Sequence, residues 1–311
     1  MIPTSLSHLL EGLIDYAGLF PPAALPMNEA FENYRRYLSE PDAWMLSQFI
    51  IPAARLPELP RIDSSEGRPV LFSIILKSGA DAASYLESLE KGLDQTLHFL
   101  DTKNRTARVS AFEVKLPSEL ELAAKLAKET RAQIDVNGLE EASIFFEAPA
   151  DEALPSVIEA LREATLPRIG FKLRCGGLRA DQFPSTRQVA SVLHHCAIQD
   201  LPLKFTAGLH HPIRHYNESV QTKMHGFLNV FAAALIAKQS GLDPDAIEEL
   251  VACENPREIF FADDALTFCG RRISSEDIKT LRQQFALSYG SCSFDEGRED
   301  LQALGLLPQP T

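Results

Sequence analysis

The strongest constraint on this chain is an alternation between two hydrophobic periods. Short runs with period two, such as "MLSQFIIP" (45–52), "PVLFSIIL" (69–76), "RVSAFEVKLP" (108–117), "ASIFFEAP" (142–149), "RIGFKLRCGG" (168–177) and "LPLKFTAGL" (201–209), read as strands. Between them lie amphipathic stretches with helical spacing, among them 81–100, 118–132 and 185–198, with Ser118 and Ser185 placed as N-caps. Strand, helix, strand in repetition means parallel strands joined by helical crossovers. A first strand within 12–22 and a last within 285–293 bring the number to eight. Eight such units predict one α/β domain over 1–311, a TIM-type (β/α)8 barrel, better than an open doubly wound sheet. No GxGxxG or GxxxxGK[ST] follows a strand, so neither nucleotide fingerprint supports the open sheet.

The rhythm breaks over 218–284. A helix is expected over 224–241, a second over 243–254, and a hairpin over 258–273 around Asp263-Asp264. This region reads as an insertion between strands seven and eight, serving as a lid or a subunit contact. The first of these helices carries Phe227, Leu228, Val230, Phe231, Leu235 and Ile236, so its apolar surface extends beyond one face. It must be covered on more than one side, by 243–273 or by a second subunit; a homodimer is the expectation.

Composition narrows the partners. The 311 residues are 45% hydrophobic and 23% charged, ordinary for a globular core. A net charge of −13 repels polyphosphate over most of the surface, so no nucleic-acid partner is expected. A local basic pocket for a small anion is compatible with it. Five cysteines without a close pair suit the reduced thiols of a cytoplasmic protein. The N-terminal stretch carries Glu11 and Asp15 and no basic n-region, so no signal peptide is read. No apolar run reaches the roughly 18 residues of a membrane helix, and no membrane partner is expected.

Ionisable residues recur late in four consecutive strands, on the face opposite the apolar one. Glu113 and Lys115 alternate with Phe112, Val114 and Leu116. Glu147 ends the next strand, Lys172 and Arg174 follow on the third, and Lys204 and Thr206 on the fourth. In a barrel the apolar side meets the helices and the other side meets the axis. Unpaired charge there is costly, so Glu113, Lys115, Glu147, Lys172, Arg174 and Lys204 are expected to converge as a site at the carboxyl ends of the strands.

The mixture suggests a chemistry. Two lysines on neighbouring strands crowd each other, which disfavours the ammonium form and makes a neutral nucleophile. Such an amine forms a Schiff base with a carbonyl, a carboxylate such as Glu113 or Glu147 moves protons, and Arg174 and Lys115 hold a substrate anion. A lysine ending strand six before a glycine-containing loop, followed by "LKFTAGLHHPIR" with a lysine on strand seven, resembles deoxyribose-phosphate aldolase and related class I aldolases. The resemblance covers about 40 residues. It implies Lys172 as Schiff-base nucleophile, Lys204 as its tuning lysine, Glu113 in the acidic role and no cofactor. The chain departs from the family in having Glu113 rather than an aspartate, in Arg174 and His210-His211, and in the insertion. The segments "TAGLHHPIRHYN", "MHGFLNVFAAAL" and "YGSCSFDE" are also similar to a set of uncharacterised bacterial proteins.

Other residues carry more open readings. His210 and His211 follow strand seven and serve as ligand-binding or backbone-bonding loop histidines, or as metal ligands with Glu113, Glu147 or Asp15. Adjacent residues on an extended segment point apart, and no HxH, HExxH or paired CxxC is present. Asp15 faces the site or caps a turn. Ser291, in "YGSCSFDE", offers small-residue backbone to an anion or belongs to a packing turn. Cys175 has no base partner and reads as a bystander. The expectation is a lyase or aldolase acting on a small anionic carbonyl compound. The alternatives are a metal-dependent barrel hydrolase or lyase, and a non-catalytic binder of small anions.

Overall fold

The period-two runs fold into strands because their alternate faces have different neighbours. A computed structural model describes residues 2–60, 62, 69–103, 107–117 and 122–309. The strands are β1 (Ile14–Tyr16), β2 (Leu46–Pro52), β3 (Val70–Leu76), β4 (Ala107–Lys115), β5 (Ser143–Glu147), β6 (Ile169–Arg174), β7 (Leu203–Thr206) and β8 (Ala286–Ser291). All pair in parallel and close into a barrel in the order β1-β8-β7-β6-β5-β4-β3-β2. This is the TIM-type (β/α)8 barrel expected from the alternation.

The outward face of each strand packs on helices. Phe72 of β3 meets Phe99 of the helix Ala82–Lys103 edge-on, ring centroids 5.5 Å apart, and Phe205 of β7 meets Phe231 at 4.9 Å. Such pairs add about 1 kcal/mol to the burial of two rings. A Cβ on Gly92 would come within 2.7 Å of Leu76, so the glycine lets this helix lie close on β3. Ser185 caps the helix Thr186–Gln199 through a box with Gln188, as expected. Ser118 lies outside the described residues.

Between β7 and β8 the chain is richer than the sequence suggests. A two-stranded hairpin (His215–Asn217, Thr222–Met224) precedes the helices Phe227–Ser240 and Pro244–Ala252. The segment expected as one hairpin is a three-stranded antiparallel sheet, Ile259–Phe261, Ala265–Phe268 and Arg271–Ser274, with Asp263-Asp264 in its first turn. A further helix, Ser275–Gln284, leads into β8. All residues from Phe227 to Ala237 are buried within the single chain. Their cover is β8, the flanking helices and the small sheet. The apolar pattern that pointed to a second subunit therefore has an intramolecular cause. Among the described residues, no helix is long and apolar enough to cross a membrane.

Candidate active site

The inner faces of the strands carry polar side chains, and the register sets them level. Glu147 lies beside Lys172, Lys172 beside Lys204, and Lys204 beside Ser288 on successive strands β5, β6, β7 and β8. Glu113 of β4 reaches both lysines: its Oε2 accepts from Lys172 Nζ at 3.0 Å and its Oε1 from Lys204 Nζ at 2.6 Å. Lys172 Nζ is also 2.7 Å from Glu147 Oε2, and Lys204 Nζ is 2.7 Å from Asp15 Oδ2. Five ionisable groups from five strands thus form one chain, Asp15–Lys204–Glu113–Lys172–Glu147.

Uncharged polar side chains from the neighbouring strands complete the network. Ser73 donates to Glu113 at 2.6 Å and accepts from Lys204 at 3.1 Å. Gln48 Nε2 donates to Asp15 at 3.1 Å, and Ser288 donates to the same carboxylate at 2.6 Å. Ser110 donates in turn to Gln48. Sequence reasoning did not single out Ser73, Gln48, Ser110 or Ser288. The signal was a lone polar residue at an inward position of a greasy strand, as Ser73 is in "VLFSIIL".

The charge balance overturns one expectation. Burial alone would lower the Lys172 pKa, but Glu113 and Glu147 outweigh it and hold the ammonium above the ordinary lysine range. Lys204 behaves likewise: burial is outweighed by Asp15 and Glu113. For Glu113, burial is outweighed by the two lysines, which keep its carboxyl far below the usual range. The lysines do not drive each other neutral, because three carboxylates are interleaved with them.

Depth separates their roles. Lys204 has no exposed surface, and Asp15 has none either. Lys172 lies two residues before the strand end and opens onto a cavity of about 460 Å³ at the barrel mouth. The cavity lies at the carboxyl ends of the strands, where the loops of this architecture build active sites. Thr206, Arg174 and His210 line it, as expected. So do Ile50, Ile75, the loop Phe20–Pro22 and the segment 177–179, which the sequence did not mark. Gly208, with φ +70°, follows β7 here, and a Cβ on it would come within 2.7 Å of Gly176 after β6. Two glycines therefore let the β6 and β7 loops touch beside the cavity.

Three expected residues lie elsewhere. Lys115, the last residue of β4 and in register with Glu147, is exposed and lines a neighbouring hollow with Glu147 and Arg174. His211 turns away from the cavity, with Nδ1 paired to Asp300 at 2.5 Å, while His210 faces it. Ser291 is buried in a turn and donates to the Ser293 carbonyl at 2.7 Å; its neighbours Gly290 and Cys292 line the cavity instead. Cys175 is buried and its thiol pKa is pushed up by burial, consistent with a bystander. Asp15, Glu113 and Glu147 are engaged by lysines. Among the described residues no group of three or more His, Cys, Asp or Glu is arranged to hold a metal ion.

His210 Nδ1 is 3.0 Å from Glu296 Oε2 and 4.0 Å from Cys292 Sγ. Burial would lower its pKa, but these two contacts outweigh burial and push it up to about 9, so the imidazole is a cation at neutral pH. No protein-family model matches the chain, and a search of curated proteins gives no match.

Proposed function

We propose that the chain is a lyase of the class I aldolase type, acting on a small anionic carbonyl compound through a Schiff base on Lys172. One observation carries the reading: the only cavity-facing lysine of the buried charge chain has a carboxylate on each side, at 3.0 and 2.7 Å, above a second lysine that is fully enclosed. An amine that must lose and regain protons during a cycle needs such partners within hydrogen-bond reach.

The cycle closes without a cofactor. Lys172 passes one proton to Glu147, and the neutral amine adds to the substrate carbonyl carbon. The carbinolamine oxygen leaves as water, taking a proton from the Glu147 acid, and an iminium remains. The carbon–carbon bond next to the iminium carbon's neighbour then breaks. Its electron pair becomes the enamine, while the departing fragment's hydroxyl gives its proton to the carboxylate and leaves as a carbonyl. That proton returns to the enamine carbon, and water hydrolyses the new iminium to product and free Lys172. Lys204 and Glu113 stay fixed beneath; their charges stabilise the iminium–carboxylate arrangement in a site of low dielectric.

A second reading, a non-catalytic receptor for small anions, is favoured by the charge balance that holds Lys172 as an ammonium. Borohydride reduction with candidate carbonyl compounds separates the two. The lyase leaves a reduced adduct on Lys172, whereas the receptor releases its ligand unchanged.

A further inference from the structure

The walls of the cavity differ in chemistry. On the side of β1, β2 and β3 stand Phe20, Pro21, Pro22, Ile50 and Ile75, with no hydrogen-bonding side chain among them. Across the mouth, on β6 and the loop after β7, stand Arg174 and His210. The side chain of Arg174, a β6 residue paired with Thr206 in the ladder, makes no hydrogen bond or ion pair with any described residue. A guanidinium with its donors uncommitted at a cavity wall is suited to an oxyanion. His210 is held toward the same space as a cation by Glu296 at 3.0 Å. At the rim Leu178 is 57% exposed, a large apolar side chain without cover that also lines the cavity.

A polyhydroxylated substrate would fit this arrangement poorly. Each hydroxyl facing the β1–β3 wall would lose its water and gain no partner, at a cost comparable to a buried unsatisfied polar group. Of the other polar groups in the lining, Thr206 stands on β7 beside Arg174, Gln182 Oε1 accepts from the backbone of Leu178 and Arg179, and Arg179 is paired with Asp181. An apolar chain on that wall instead buries surface on both sides.

We infer that the substrate is an amphipathic carbonyl compound. Its oxyanion is held by Arg174 and His210, and its hydrocarbon portion lies on the β1–β3 wall and Leu178, in place of the hydroxyls of a sugar or sugar phosphate. The inference rests on the proposed Schiff-base chemistry only for the position of the carbonyl above Lys172; the bipartite wall is independent of it.

The test compares five probes on the full chain. 6-Oxohexanoate, hexanal and glyceraldehyde 3-phosphate are trapped with borohydride, and adduct on Lys172 is measured by mass spectrometry. Binding of hexanoate and of gluconate, which have no reactive carbonyl, is measured by calorimetry. The expected result is trapping of 6-oxohexanoate at least about 10-fold faster than either other aldehyde, and binding of hexanoate at least about 10-fold tighter than gluconate. Leu178→Asp should pull the ratio of 6-oxohexanoate to glyceraldehyde 3-phosphate trapping down about 10-fold. Arg174→Gln should remove the advantage of 6-oxohexanoate over hexanal. Equal or faster trapping of glyceraldehyde 3-phosphate overturns the inference and leaves the Schiff base standing. A hexanoate preference without any Lys172 adduct upholds the inference and sinks the Schiff base. If neither acid is preferred in calorimetry and no aldehyde is trapped, both fail.

Discussion

Lys204 and Asp15, far apart in sequence, face each other at 2.7 Å with no exposed surface on either side chain. Removing one partner leaves the other buried and charged, which typically costs about 3–5 kcal/mol. Lys204→Met should lower the unfolding free energy by that amount in urea denaturation, since Asp15 loses its cation and Glu113 keeps only Lys172. Adding Asp15→Asn should restore part of it. A single variant as stable as the parent would mean that the pair is not buried as described.

Glu147 bears on chemistry more than on stability. It is partly exposed, and its bond to Lys172 is at the cavity edge. Glu147→Gln keeps the shape but cannot take the Lys172 proton. Turnover should fall about 100-fold or more, with the midpoint of thermal unfolding little changed. A variant with parental turnover would assign proton transfer to another group.

The pH dependence follows from His210. Its folded pKa is raised to about 9 against an unfolded value of about 6.5. A raised pKa means that the folded state binds the proton more tightly. The stabilisation is therefore complete below about pH 6.5 and is lost as pH rises through about 9. The drop in unfolding free energy over that window should be about 3 kcal/mol, and His210→Asn should flatten it. Glu113 acts in the opposite sense: its depressed pKa contributes stability above about pH 4.3 that declines as the solution is made more acidic.

Phe231 separates packing from association. It has no exposed surface and packs on Phe205 and Tyr289, with the Arg282 guanidinium over its ring. Phe231→Glu would place a carboxylate in that core. The expected outcome is loss of cooperative unfolding or a drop of more than about 4 kcal/mol. Simple dissociation into folded subunits, seen by light scattering, would place this face at a subunit contact instead.

The barrel was legible because each strand announces itself by period two and each is separated by a helical period; each of the eight expected runs overlaps an observed strand. The site was legible for a related reason. Charges at Glu113, Glu147, Lys172, Arg174 and Lys204 sit at positions where the apolar alternation demands an inward face. Lys115 obeys the same parity and is in register with Glu147, yet it is exposed at the end of its strand, and parity carries no information on exposure. Ser73 and Gln48 were invisible because an uncharged polar residue in a strand is unremarkable until its partner is known. The lysine ionisation was misjudged for a similar reason: adjacent strands place the cations side by side, but only the three-dimensional closure brings Asp15 from β1 and Glu113 from β4 between them.

The central claim is that Lys172 is the nucleophile, and reductive trapping tests it most directly. Parent protein and Lys172→Met are incubated with a panel of aldehydes and 2-oxo acids, reduced with borohydride, digested and analysed by mass spectrometry. Lys172→Met keeps the buried Lys204 in place and removes only the cavity-facing amine. The expected result is a single reduced adduct on the peptide carrying Lys172 in the parent and none in the variant. Adduct on Lys204 or only on exposed lysines, or equal labelling of parent and variant, would contradict the account.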